Sequence, residues 1–372
     1  MSKRLAVSCA AVTFVLLAPS ACSSGSPTDA QTTDSHSSAA TAIVDAATAK
    51  PTNLGVQGAL SRRPDPGKHI VGVVAGTPTG VLQGKSLAAA TAALGWDYKT
   101  VTTAAAPEAQ QQAFESALAL KPDGIFTAGA SRDVLSSQLT QAEKQGVAVV
   151  MFASTDKPGG AVVSTDIAAV PTLTRAGNVS AANAIVSTNG QAHVALFQLA
   201  GYPILDAYQS AVAATLKELC PGCTLKVVQQ QATDIGTNTP AAVVSTVQAD
   251  PEINWVLFSL GSQSTGVAPA LASAGLEAKV SIGGVNPTTA NFKAVKDGVE
   301  TAWVGSPIVL GAWMAVHDFA LKFNGDPMRP TPTLPEQLIL KTNINDIAFD
   351  ADGQYLGFAD YQAAFKKLWN VG

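Results

Sequence analysis

The stretch LALKPDGIFTAGASRDVLSSQLTQAEKQGVAVVMFAS (Leu118–Ser154) decides the fold. Two short apolar runs, DGIFTAG and VAVVMFA, flank a segment in which Leu135, Leu139 and Ala142 recur at helical spacing. Ser131 is placed to cap that helix. Gly146 is placed to stop it, because the residue after a helix commonly takes φ > 0. The unit reads strand, helix, strand. Runs that are apolar throughout belong to parallel sheets covered on both faces.

The same rhythm extends outward. Upstream lies HIVGVVAG (His69–Gly76), followed by a helix pattern around Leu82, Leu87, Ala90 and Leu94 that Gly95 ends. Pro107 and Glu108 open a second helix with Phe114, Ala117 and Leu118 on one face. Downstream come VVSTD (Val162–Asp166) and a helix over Leu173–Ser187. The strand series then restarts at His193 with HVALFQLAG, TLKVVQQ, INWVLFSLG, KVSIGGV and ETAWVG, and Gly275 and Gly298 stop the helices before the last two. About ten strands is many for a single doubly wound sheet. The pattern therefore predicts an α/β protein of two similar doubly wound parallel-sheet lobes. In such sheets ligands sit outside the carboxyl ends of the strands, near the topological switch point. The loops after the strands are the place to look for function.

Composition narrows the class. The chain has 372 residues, 47% of them hydrophobic and 13% charged, with a formal net charge of −4. Soluble domains average about 25% charged residues. Phosphate neutralisation requires a basic excess that is absent here, which excludes a nucleic-acid binder. The apolar content excludes disorder throughout.

The first segment reads as an address. Residues 1–22, MSKRLAVSCAAVTFVLLAPSAC, carry a basic start at Lys3 and Arg4, an apolar core and small residues before Cys22. They look like a bacterial lipoprotein signal with Cys22 as the lipidated residue, although Pro19 stands where an aliphatic residue is usual. Residues 23–67 begin Ser/Thr/Ala/Asp-rich with no periodic apolar face, which predicts a flexible tether. The chain is then exported, held to the outer face of the membrane by lipid alone. Cys220 and Cys223, in CPGC between a helix pattern (Ala207–Leu219) and a strand, read as a structural disulfide. A redox site would want the pair at a helix start, and two cysteines are too few for a structural zinc site.

Signals for catalysis or nucleotide binding fail on spacing. Gly76-Thr-Pro-Thr-Gly80-Val-Leu-Gln-Gly84-Lys85-Ser86 sits where a phosphate-binding loop would, but that motif needs a glycine at position 79, which is Thr79. No HExxH or GxSxG occurs, and His317-Asp318 lies inside an apolar helix pattern. No nucleophile with an orienting base can be named, and no cofactor or metal is implied.

The quoted segments, with AALGWDY, ADPEINWVLFSLGSQSTGVAPALASAGL and KVSIGGVNPTTANFKAVKDGVETAWVG, resemble type I periplasmic binding proteins, the ribose-binding-like group that feeds ABC importers. The resemblance runs from about Pro51 to the C-terminus. It implies three crossings between lobes, near Asp166, near Ser306 and before EQLILKTNI, with the helix Pro307–Phe323 returning to the first lobe and a last helix over Tyr355–Trp369. The expected organisation is a signal at 1–22, a tether at 23–67, a first lobe at 68–166 plus 306–333, and a second at 167–305 plus 334–372.

The family's sugar-binding positions carry over mostly as losses. The Asp-Arg pair after the fourth strand is Ala153-Ser154 here. The arginine of the second lobe's first helix falls near Ala207, and the asparagine after the third strand falls near Ala128-Gly129. The aspartate after the ninth strand is Asn286, and the glutamine near a crossing is Gly305. Sugar hydroxyls need polar partners in a dry cleft, so the expected ligand is small, neutral and sugar-like, polyol or less polar. Candidate contacts are Thr77, Thr79, Ser131, Arg132, Ser154, Asp156, Tyr202, Asp206, Gln263, Asn286 and Ser306, with Tyr202 as aromatic wall and Trp303 assigned to the core. The expected partners are a small-molecule ligand and an ABC permease, and the protein is expected to be a monomer. Weighed against this are a surface sensor of the same fold and a secreted hydrolase. A LacI-like repressor would need a basic helix-turn-helix where the signal and tether stand.

Overall fold

The structure, a computed structural model, describes residues 28–56, 58–104, 106–328 and 334–371, with side chains from residue 38 onward. The expected signal and the expected lipidation site, Cys22, lie outside the described residues.

The first lobe is built on a five-stranded sheet in the order β2-β1-β3-β4-β5, formed by β1 (His69–Ala75), β2 (Asp97–Thr103), β3 (Gly124–Ala128), β4 (Ala148–Phe152) and β5 (Val162–Ser164). All its pairings are parallel. Helices α2 (Pro78–Ala93), α3 (Pro107–Ala119) and α4 (Ser136–Gln145) make the crossovers. Successive side chains of a strand point to opposite faces. Ile70 and Val74 thus join one core layer, while Val71 and Val73 join the layer under α3 and α4.

The second lobe repeats the plan with one change. Its six strands run in the order β11-β10-β9-β8-β6-β7, from β6 (His193–Leu199), β7 (Thr224–Gln230), β8 (Trp255–Phe258), β9 (Ser281–Val285), β10 (Ala302–Gly305) and β11 (Gln337–Leu340). Only β11 is antiparallel, pairing Gly305 with Gln337. It enters from the hinge, at the end where β10 leaves. Helices α5 (Val170–Ser187) and α6 (Leu205–Leu219) cover one face, and α7 (Asn238–Ala249), α8 (Val267–Ser273) and α9 (Thr289–Asp297) the other. Gly95, Gly146, Gly275 and Gly298 all have positive φ, between 68° and 78°. Trp303 is fully buried, its Nε1 donating to Glu300 Oε2 at 2.7 Å. Cys220 and Cys223 are joined, with Cα atoms 5.3 Å apart.

The chain leaves the first lobe after β5, returns through Ser306-Pro307 into α10 (Ile308–Asn324), and leaves again for β11. Every residue of α10 from Val309 to Leu321 is buried, His317 and Asp318 included. The helix is enclosed because α2, β4 and α11 (Tyr361–Leu368) all pack on it.

Two segments depart from the expected organisation. Residues 28–48 are not tether but a helix, α1 (Thr28–Thr48), whose Ala40, Val44 and Ala47 are buried against α5 and the second-lobe core. A stripe of small residues carries little hydrophobic signal, yet it lets two alanine-rich helices approach closely. Gln337 Nε2 donates to Thr48 O at 2.8 Å. Residues 50–56 and 58–67 are not tether either. Leu54 and Leu60 are buried in the first-lobe core, and Leu60 N donates to Leu368 O at 2.8 Å. The second departure is the C-terminal helix. α11 belongs to the first lobe, where Trp369 stacks on Trp313 at 5.1 Å with ring planes 3° apart.

Candidate functional site

Both sheets direct the carboxyl ends of their parallel strands at the space between the lobes. The order β2-β1-β3 reverses the winding of the first sheet between β1 and β3, and β7-β6-β8 does the same in the second. The loops after β1, β3, β6 and β8 therefore flank the switch points.

The lobes meet there. Gly129, just after β3, has φ +73°, and a Cβ on it would come within 3.2 Å of Tyr202 Cδ1 from the other lobe. The missing side chain is what admits the ring. Ala153, after β4, packs against both lobes' cores. Partial burial pushes the Tyr202 phenol up from its usual range. Ala153 and Ala168 hold φ of +53°, and Asn286 holds +52°. Such strain in alanine persists only where surrounding structure fixes it. Ala153 N donates to Ile167 O at 2.9 Å, which ties the loop after β4 to the first crossing.

The predicted residues divide by what holds them. Thr77 is exposed and caps α2, its Oγ1 accepting from Gly80 N at 3.2 Å. Thr79 is exposed in the first turn of the same helix. Ser131 Oγ accepts from Val134 N at 3.3 Å in the turn before α4. Arg132, Ser154 and Asp156 form one clasp. Asp156 Oδ2 accepts from Arg132 N (2.8 Å) and Ser154 Oγ (3.0 Å), and Arg132 Nη1 donates to Lys157 O and Gly159 O. These groups lock two loops together and are largely spent on each other. Asp206 is exposed in the first turn of α6 and accepts weakly from Gln198 Nε2 at 3.4 Å. Asn286 O accepts from Gly261 N, and its left-handed φ suits asparagine.

Gln263 is a correction. It is 0% exposed, and both ends of its amide are used: Nε2 donates to Phe197 O, while Oε1 accepts from Ser259 Oγ and Leu260 N. It holds the turn after β8 and is not open to a ligand.

Ser306 leads to a residue that the sequence reading missed. Its Oγ donates to Glu336 Oε1 at 2.9 Å, bonding the second crossing to the third. Glu336 is 3% exposed, and its Oε2 has no hydrogen-bond partner. Burial pushes its carboxyl up to about 8, opposed by the Ser306 hydroxyl and by Arg175 of α5. The only sequence signal was an acid directly before an apolar strand. At the first crossing Asp318 lies near Ser164 and Asp166, and burial pushes it up to about 7. Among the described residues no cluster of His, Cys, Asp or Glu is arranged to hold a metal ion. No helix among them is long and apolar enough to cross a membrane.

Two parallel-sheet lobes joined by several crossings, meeting at the loops of their switch points, define the two-lobed binding-protein fold. The chain belongs to the periplasmic binding protein domain family, whose model matches residues 72–325. Among solved structures it is similar to an ABC transporter solute binding protein from Agrobacterium vitis with bound allitol (18% identity, TM-score 0.67, covering 75% of this chain and 97% of that one). It is also similar to a 5-methylthioribose transporter solute binding protein from Thermotoga lettingae in complex with 5-methylthioribose (17%, 0.68, 84% and 99%). A third is a glucose-galactose binding protein from Geobacillus stearothermophilus (18%, 0.65, 75% and 99%). At these identities the likeness establishes the fold. A search of curated proteins gives no match.

Proposed function

We propose that the protein is an extracytoplasmic receptor that closes its lobes on a small neutral ligand and delivers it to an ABC permease. The observation that carries this reading is the Gly129–Tyr202 contact at the two switch points. In its support, an aromatic face lies where the lobes approach, and the Arg132, Ser154 and Asp156 groups of the nearby loops are largely bonded to one another and to backbone. Ala153-Ser154, Asn286 and Gly305 stand where sugar receptors of the family carry charged or amide groups. A ligand with an apolar portion, such as an alkylthio or deoxy sugar, suits that wall better than a free hexose. Lipidation at Cys22 would hold the receptor at the membrane as a monomer, with Cys220–Cys223 as a structural bond.

A thermal-shift panel of 5-methylthioribose, allitol, D-allose and D-arabinose tests the ligand class. A larger rise in Tm with 5-methylthioribose than with the free sugars is expected, and tight binding of a free hexose or pentose refutes the less polar pocket. Deletion of the gene should abolish uptake of the bound compound. Unchanged uptake would favour a sensor instead.

A further inference from the structure

We propose that Glu336 is a ligand-binding residue of the cleft, its Oε2 hydrogen-bonded to a hydroxyl of the bound molecule at the hinge. The inference rests on the receptor reading above and adds a chemical requirement to it. The ligand must present a hydroxyl toward the hinge and its apolar portion toward Tyr202.

Strand pairing places the residue. Because β11 runs antiparallel to β10 with Gly305 opposite Gln337, the residue after β10 and the residue before β11 are neighbours at the cleft-facing end of the sheet. Those two are Ser306 and Glu336, and the 2.9 Å bond between them confirms the adjacency. Ser306 is partly exposed, so the pair sits where the cleft floor meets the hinge.

Chemistry then singles out Oε2. The Ser306 hydroxyl serves only Oε1. The Tyr355 hydroxyl is spent on Pro335 O at 2.9 Å. Arg175 attracts the carboxyl from α5, but no ion pair joins the two among the described residues. A half-satisfied buried carboxyl is worse for the fold than an apolar side chain of similar size. Within β11, Leu338 and Ile339 are apolar and buried, and the polar Gln337 has its partner in Thr48 O. Protonation relieves the charge, as the raised carboxyl indicates, but Oε2, then the proton-bearing oxygen, still has no partner. A ligand hydroxyl supplies one. Entry is through the open form, since the segments carrying Ser306 and Glu336 are two of the connections about which the lobes turn.

The test is isothermal titration of 5-methylthioribose, allitol, D-allose and D-arabinose into the full mature chain and its Glu336→Leu and Glu336→Gln variants, with Tm measured for each ligand-free protein. Glu336→Leu should keep or raise Tm while weakening the best ligand at least tenfold, and Glu336→Gln should fall between it and the wild type. A purely structural glutamate would show the reverse: a lower Tm with affinity unchanged in the folded protein. Wild-type binding that both variants preserve overturns this proposal alone. Failure of the wild type to bind any of the four overturns the receptor reading for hydroxylated ligands, and this proposal with it.

Discussion

Replacing Trp369 tests the placement of the C-terminal helix in the first lobe. The indole is fully buried, stacks on Trp313 at 5.1 Å, contacts Phe365 at 5.5 Å, and donates from Nε1 to His317 Nδ1 at 3.1 Å. Truncating a buried tryptophan to alanine costs about 3–5 kcal/mol in transfer and cavity terms. The stacked pair adds about 0.5–1.5 kcal/mol. The lost hydrogen bond to a buried acceptor adds about 1 kcal/mol. These terms overlap, so Trp369→Ala should destabilise the first lobe by about 4–6 kcal/mol, and Trp369→Phe by about 1–2 kcal/mol. Domains hold only about 5–15 kcal/mol in total, so the alanine variant should leave this lobe marginal. Two lobes need not unfold as one unit. Hydrogen exchange resolved by peptide is therefore the assay, with urea unfolding followed by circular dichroism alongside. Faster exchange is expected in β1, β3, β4 and α10, with β6, β8 and β9 little changed. A loss below about 1.5 kcal/mol, or exchange gained mainly in the second lobe, refutes the placement.

Three further outcomes are expected. Asp318 has a folded-state value of about 7 against an ordinary 3.8, raised by burial. The native state therefore holds a proton that the unfolded chain releases between about pH 4 and 7, and stability falls across that window. Asp318→Asn should match wild type near pH 4 and exceed it by up to about 4 kcal/mol above pH 7, at about 1.4 kcal/mol per pH unit; equal urea midpoints at pH 8 would contradict this. Val44→Asp puts a charge into the α1–α5 contact and should release α1, raising exchange over residues 38–48 while β6 and β8 stay protected. Gly129→Val meets both a positive φ and the Tyr202 ring, so small-angle scattering should show a more open molecule with weaker ligand binding. An unchanged radius of gyration would mean that the two loops do not meet at closure.

Fold class was legible because it is written locally. DGIFTAG and VAVVMFA are apolar throughout, and glycines such as Gly146 and Gly298 sit where only a left-handed residue ends a helix neatly. Those signals survive without knowledge of partners. The site was legible only as a set of loop positions. Tyr202 meets Gly129 where the lobes approach, whereas Arg132, Ser154 and Asp156 bond to one another, because polar groups of neighbouring short loops lie within hydrogen-bond reach. Gln263 reads as a loop amide in sequence and is wholly buried in space, since its partners come from β6 (Phe197) and from the turn after β8 that it closes (Ser259 and Leu260).

The sequence by itself determined the strands, the helices and the restart at His193, because each follows from spacing and backbone preference within a few residues. Tertiary structure alone decided which lobe each end of the chain joins. The alanine stripe of α1 becomes a buried face only against α5, and Trp369 finds Trp313 only across 56 residues of chain. It also decided that Glu336 would be buried beside Ser306. That juxtaposition comes from β11 returning antiparallel to β10, a choice made by the hinge and invisible in either segment read alone.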